Sequence, residues 1–120
     1  MEDMIFIPWL VSSFLIFFEL IVGGFLAFSK IKRNGIIGVR IKYAFSSDEA
    51  WNFANRLSGL VLFIIGICEA IIIYPIYATF LNSHFVLVSL CVSFSQAIIL
   101  IMAIIALVIV FKIKEKKENI

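Results

Sequence analysis

The sequence predicts an all-α membrane protein: three transmembrane helices with an amphipathic cytoplasmic loop helix between the first and second. Three observations predict it. Of the 120 residues, 63% are hydrophobic and 15% charged, and the mean hydropathy is +1.14. A soluble domain carries about 45–50% apolar and about 25% charged residues, so both departures point to a chain whose solvent is mostly lipid. Three apolar runs are each long enough to cross a hydrocarbon core about 30 Å thick, which takes about 20 residues. All ten lysines and arginines lie in two clusters outside those runs, Lys30 to Arg56 and Lys112 to Lys117. The whole of residues 1–120 reads as one membrane domain.

The first span is expected over 4–28, interrupted only by Glu19 and small residues. Pro8 falls in its first turn, where a missing N–H costs nothing. The chain begins Met-Glu-Asp-Met, acidic where a signal peptide would be basic, and the run reads as a retained helix. The second span is expected over 57–81 and the third over 85–111. Only Asn82, Ser83 and His84 separate them, which predicts a tight antiparallel hairpin. Pro75, inside the second span, removes one backbone bond and is expected to kink it near its outer end.

Charge placement predicts the orientation. The loop over 29–56 carries Lys30, Lys32, Arg33, Arg40, Lys42 and Arg56, and the tail over 112–120 carries Lys112, Lys114, Lys116 and Lys117. The N-terminus and the second loop carry neither lysine nor arginine. The positive-inside rule then puts loop and tail in the cytoplasm and the N-terminus outside, in a multi-pass protein of the cell membrane. Trp9, Tyr74 and Tyr77 are expected at the outer interface, Tyr43 and Trp51 at the inner one. A nucleic-acid partner would want a basic face on a soluble domain, and none is expected. The expected partners of the loop are anionic lipid headgroups.

Lipid tails are as apolar as leucine, so helices in a membrane associate through small residues and polar bonds. Each span has such a stripe: Ser12, Glu19, Gly23 and Ala27; then Asn55, Gly59, Gly66, Glu69 and Ala70; then Ser89, Ser93, Gln96 and Ala103. A carboxylate at the bilayer centre costs at least about 2.5 kcal/mol, so Glu19 and Glu69 are expected to face the bundle interior. At about 1.5 Å per residue they and Gln96 fall at similar depths. Two carboxyls meeting there would not both ionise. Such a meeting makes either a proton-sensitive or cation-binding site, or a shared-proton bond that fixes the packing. Cys68 and Cys91 lie in apolar runs and read as packing residues. His84 is the sole histidine and has no ligand spacing around it. No catalytic group, cofactor or metal site is expected, and the protein does not read as an enzyme.

The loop is the distinctive part. Two glycines, Gly35 and Gly38, turn the chain after Arg33-Asn34, and Val39 to Tyr43 alternates apolar and basic residues in a way that suits an extended path along headgroups. Ser46 and Glu49 have the spacing of a capping box. The helix they open carries Trp51, Asn55, Arg56 and Gly59 and has the option of running on into the second span.

Arg33, Asn34, Gly38, Arg40, Ser47, Glu49, Trp51, Asn55 and Gly59, in that order and spacing, resemble the SdpI family of small membrane proteins, some of which give immunity to secreted peptide toxins. Two departures stand beside the likeness. Ile41-Lys42-Tyr43-Ala44 replaces the Thr and Pro that often follow the arginine matched by Arg40, and the additional membrane region of longer members is missing. The resemblance implies the short, single-module form, with a peptide toxin or a cytoplasmic regulator as partner, in immunity or in membrane-associated signalling. Two other functions fit the residues: an accessory subunit of a larger respiratory or transport complex, and a small proton-coupled transporter that uses Glu19. Three spans and a long patterned loop count against the transporter.

Overall fold

A computed structural model of the chain describes residues 7–29, 32, 43–80 and 84–117. They form helix α1 (Ile7–Phe28), a one-turn 3-10 helix (Ala44–Ser46), helix α2 (Asp48–Thr79) and helix α3 (Phe85–Lys117). All three α-helices are long and apolar enough to cross a membrane. They lie side by side in a rod of 55 × 24 × 23 Å. At about 1.5 Å per residue α3 alone runs nearly the rod's full length, so the bundle overreaches a hydrocarbon core of about 30 Å.

Among the described residues there is no separate loop helix, which corrects the expected amphipathic one. Trp51, Asn55 and Arg56 stand instead in the first turns of α2, which is 32 residues long. The reason is local. Ser47 has extended backbone angles (φ −162°, ψ 166°), and its hydroxyl accepts the Ala50 N–H at 3.0 Å, which caps the helix. Asp48 and Glu49 then sit where the helix dipole favours acid. Nothing between Asp48 and Pro75 breaks the helix once it has begun. The capping box expected at Ser46 is also not formed, since Ser46 donates to the Tyr43 carbonyl at 2.6 Å and the cap falls one residue later.

α2 is antiparallel to α1 and to α3. The three seams differ in extent: α1–α2 is the largest and α2–α3 the smallest, despite the short link. The close seam turns on glycine. A Cβ on Gly59 would lie 2.6 Å from the Gly23 carbonyl oxygen and collide with the Ala27 nitrogen, and one on Gly23 would lie 2.6 Å from the Phe63 nitrogen. The two backbones therefore touch, as small residues allow in a membrane. At the other seam α2 and α3 meet chiefly at their ends. The link of the expected tight hairpin, over 81–83, lies outside the described residues.

Both ends are closed by aromatic rings. At the end that carries the lysines, Tyr43 stacks on Phe111 (centroids 5.9 Å apart) and meets Phe53 edge-on, beside Trp51 and Ala54. At the hairpin end Tyr77 packs on Phe85 at 5.7 Å, with Ile16 and Ile73. Tyr43, Trp51 and Tyr77 are thus buried inside the bundle, at 2%, 1% and 3% exposure. Tyr74 does remain exposed, and its hydroxyl donates to Ser13 at 3.1 Å. The side chains of Phe14, Phe17, Ile71, Leu87, Phe94 and Met102 point outward, as lipid-facing residues do.

Candidate functional site

One continuous polar seam runs through the middle of the bundle, and each helix supplies its share from a single face. Ser12 and Glu19 are two turns apart on α1. Glu69 and Tyr77 share a face of α2, and Ser89, Ser93 and Gln96 a face of α3. Ser12, Glu19 and Ser89 are wholly buried, and Gln96 is 1% exposed.

Gln96 joins all three helices. Its amide nitrogen donates to Glu69 Oε2 at 2.9 Å and to the Ser12 carbonyl oxygen at 3.3 Å, and its amide oxygen accepts the Ser12 hydroxyl. Towards the hairpin end, Ser93 donates to the Pro8 carbonyl at 3.1 Å. Glu19 lies against Gly66, whose absent side chain makes room for it: a Cβ there would stand 3.2 Å from the Glu19 Cβ. Glu69, one turn further along α2, is the ionisable neighbour of Glu19.

Several buried polar atoms in this seam have no protein hydrogen-bond partner: both carboxyl oxygens of Glu19, Oε1 of Glu69, the Tyr77 hydroxyl and the Ser89 hydroxyl. Buried polar groups are normally bonded, and each exception asks for an explanation.

Beside the seam the splay of α2 from α3 leaves an apolar groove of about 410 Å³. Ile64, Cys68 and Ile72 form one wall, Cys91 and Ile99 the other, and Glu69 with Gln96 gives it a polar floor. Both cysteines are free thiols. Among the described residues no three His, Cys, Asp or Glu side chains are grouped to hold a metal ion.

The motif residues of the loop fall in two groups. Arg33, Asn34, Gly38 and Arg40 lie outside the described residues. The others organise the start of α2. Ser47 caps it, Glu49 stands exposed in its first turn, and the buried Trp51 offers its carbonyl to Asn55 Nδ2 at 2.8 Å. Gly59 makes the backbone contact with α1.

Sequence reasoning placed Glu19, Glu69 and Gln96 at one depth but missed Tyr77, which it assigned to the interface. Tyr77 is eight residues after Glu69 and so on the same helical face, a signal that was present. The Ser12–Gln96 bond spans 84 residues and leaves no local signature.

A protein-family model, the SdpI/YfhL protein family, matches residues 30–113. The chain therefore belongs to that family. The match covers the loop, α2 and most of α3 and leaves out α1, the helix that supplies Ser12 and Glu19. No curated protein and no solved structure matches the chain significantly.

Proposed function

We propose that this SdpI/YfhL family member is a non-enzymatic protective protein that intercepts a membrane-inserted apolar peptide. The groove between α2 and α3 is the observation that carries this reading. Its walls are aliphatic, it lies in the membrane-spanning part of the bundle, and its floor offers Glu69 and Gln96. An apolar helix fits such a site when it also brings one polar group to the floor that Glu69 and Gln96 form. Recognition of this kind lays a helix into an apolar groove and uses a few polar groups for orientation. The placement of lysine and arginine supports a cell-membrane orientation with the loop and tail inside. There Arg33, Asn34 and Arg40 meet anionic headgroups or a cytoplasmic regulator, while Trp51 and Asn55 steady the start of α2.

Cells that express the full chain are expected to keep their membrane potential when challenged with secreted, membrane-depolarising peptides. Ile72→Trp, which fills the groove, is expected to remove that protection at an unchanged level of inserted protein. Protection that survives groove filling overturns the reading.

One observation favours a second reading, an accessory subunit of a larger membrane complex. α3 carries the most apolar 18-residue stretch of the three helices and the least covered one, with 11% of it buried. Purification in mild detergent separates the two: a co-purifying assembly of constant composition supports the subunit, and a monomer or homo-oligomer the protective protein.

A further inference from the structure

The unpartnered atoms of the central seam are not scattered. Three of them are carboxyl oxygens, on Glu19 and on the neighbouring Glu69. The other two, the Tyr77 and Ser89 hydroxyls, lie towards the hairpin end, with the hydroxyls of Ser12 and Ser93 close by. From Ser12 the seam continues through Gln96 to Glu69. A file of buried hydroxyl and amide groups therefore leads from the hairpin end to the two carboxyls. On the far side of the carboxyls the file is interrupted before the buried Ser58 and Asn55. There Gly23 and Gly59 bring the α1 and α2 backbones into contact, and the Tyr43, Trp51 and Phe111 rings seal the end.

The groups facing Glu19 decide what the pair holds. α1 carries no lysine, arginine or histidine, and neither does α2 from Leu57 to Thr79 or α3 from Phe85 to Phe111. Arg56, on α2, is 13 residues before Glu69, roughly 20 Å along the helix. The titratable groups that α2 presents on this side are Glu69 and, two turns on, Tyr77. α3 presents neutral Gln96 and serines, and its Cys91 is exposed on the groove. Gln96 has already committed its amide nitrogen to Glu69 Oε2 and to Ser12. Among the described residues there is thus no counter-charge beside the remaining three oxygens and no donor to them. Two unpaired carboxylates side by side in a low dielectric repel each other and are poorly solvated.

We propose that Glu19 and Glu69 form a proton-binding pair, reached from the hairpin end of the bundle along the buried hydroxyls of Ser89, Tyr77 and Ser12. The bound proton forms an O–H bond on one carboxyl oxygen and is donated as a hydrogen bond to the other carboxyl. Release breaks that O–H bond, passes the proton to water at the hairpin end and leaves the pair one unit more negative. The same proton ties α1, which lies outside the family match, to α2. This inference is independent of what occupies the groove.

Dicyclohexylcarbodiimide, an apolar reagent that attacks protonated carboxyls, tests the pair in the full chain reconstituted in lipid vesicles. The expected result is an adduct on Glu19 or Glu69, mapped by peptide mass, that declines as the medium is made alkaline. Infrared spectroscopy is expected to show a carboxylic-acid C=O band that is lost in the isosteric double variant Glu19→Gln, Glu69→Gln. Tyr77→Phe combined with Ser89→Ala is expected to slow the deuterium exchange of that band several-fold without removing it. A folded wild-type protein with neither band nor adduct overturns the proposal. Labelling suppressed by sodium ions at constant pH also overturns it, in favour of an alkali-cation site. Exchange unaffected by the double hydroxyl variant overturns the route.

Discussion

Between α1 and α2 the backbones touch at Gly23 and Gly59, whereas α2 and α3, joined by a far shorter link, stand apart over a groove of about 410 Å³. The difference is one of side chains. Glycine on both faces of the first seam lets dispersion contacts hold the helices at close range. The second seam sets isoleucines against Val92, Cys91 and Ile99, and such branched chains hold two helix axes apart. Its cohesion comes from elsewhere: aromatic contacts at the two ends and the Gln96 amide at the centre. One seam is a packed surface and the other is three separate fastenings. A short connection sets which helices are neighbours, and the side chains set how closely they meet.

Substitutions at each seam break the comparison in different ways. Gly59→Leu has the largest expected effect, because its side chain must displace the α1 backbone at Gly23 and Ala27. A loss of about 3 kcal/mol is expected, on the scale of overpacking in a full core. Denaturant titration in mixed micelles, followed by the fluorescence of the buried Trp51, measures it. Gly24→Ala, whose Cβ would meet only the Phe63 ring at 3.5 Å, is the matched control and is expected to be close to neutral.

Gln96→Leu comes next. It leaves Glu69 with no donor and the Ser12 hydroxyl with no acceptor on α3. The expected cost is about 2 kcal/mol, the desolvation penalty of buried partners left unsatisfied. Adding Glu69→Leu is expected to recover part of that loss, because the stranded carboxyl goes with it. The double-mutant cycle reads the coupling, and strict additivity would show that the central fastening does not hold α3.

Ser47→Ala has the smallest effect, about 1 kcal/mol for a lost N-cap. Faster amide exchange over Asp48 to Trp51 is the measurement. Ser46→Ala is expected to leave those amides unchanged, which separates the observed cap from the one that the Ser46–Glu49 spacing suggests.

Much of the bundle was legible along the chain. Three apolar runs predict three spans because length and hydropathy are local properties. Small and polar residues at helical spacing predict which face turns inward, and Ser12, Glu19, Gly59, Glu69 and Gln96 are all buried. The loop residues from Arg33 to Gly59 carry the resemblance that the family match over residues 30–113 shows to be membership. The start of α2 was less legible, because Ser46 and Ser47 both offer a capping hydroxyl and only the backbone angles at Ser47 choose between them.

The sequence by itself determined the solvent, the number of spans and the inward face of each, since these follow from hydrophobic length and from the period of a helix. Only the tertiary structure decided that Trp51 and Tyr43 close one end of the bundle, that α2 and α3 part over a groove, and that Glu19, Glu69 and Gln96 share one seam with Tyr77 and Ser89. Those outcomes depend on how far two helix axes can approach. That distance is set by side chains tens of residues apart in the chain, and no local pattern records it.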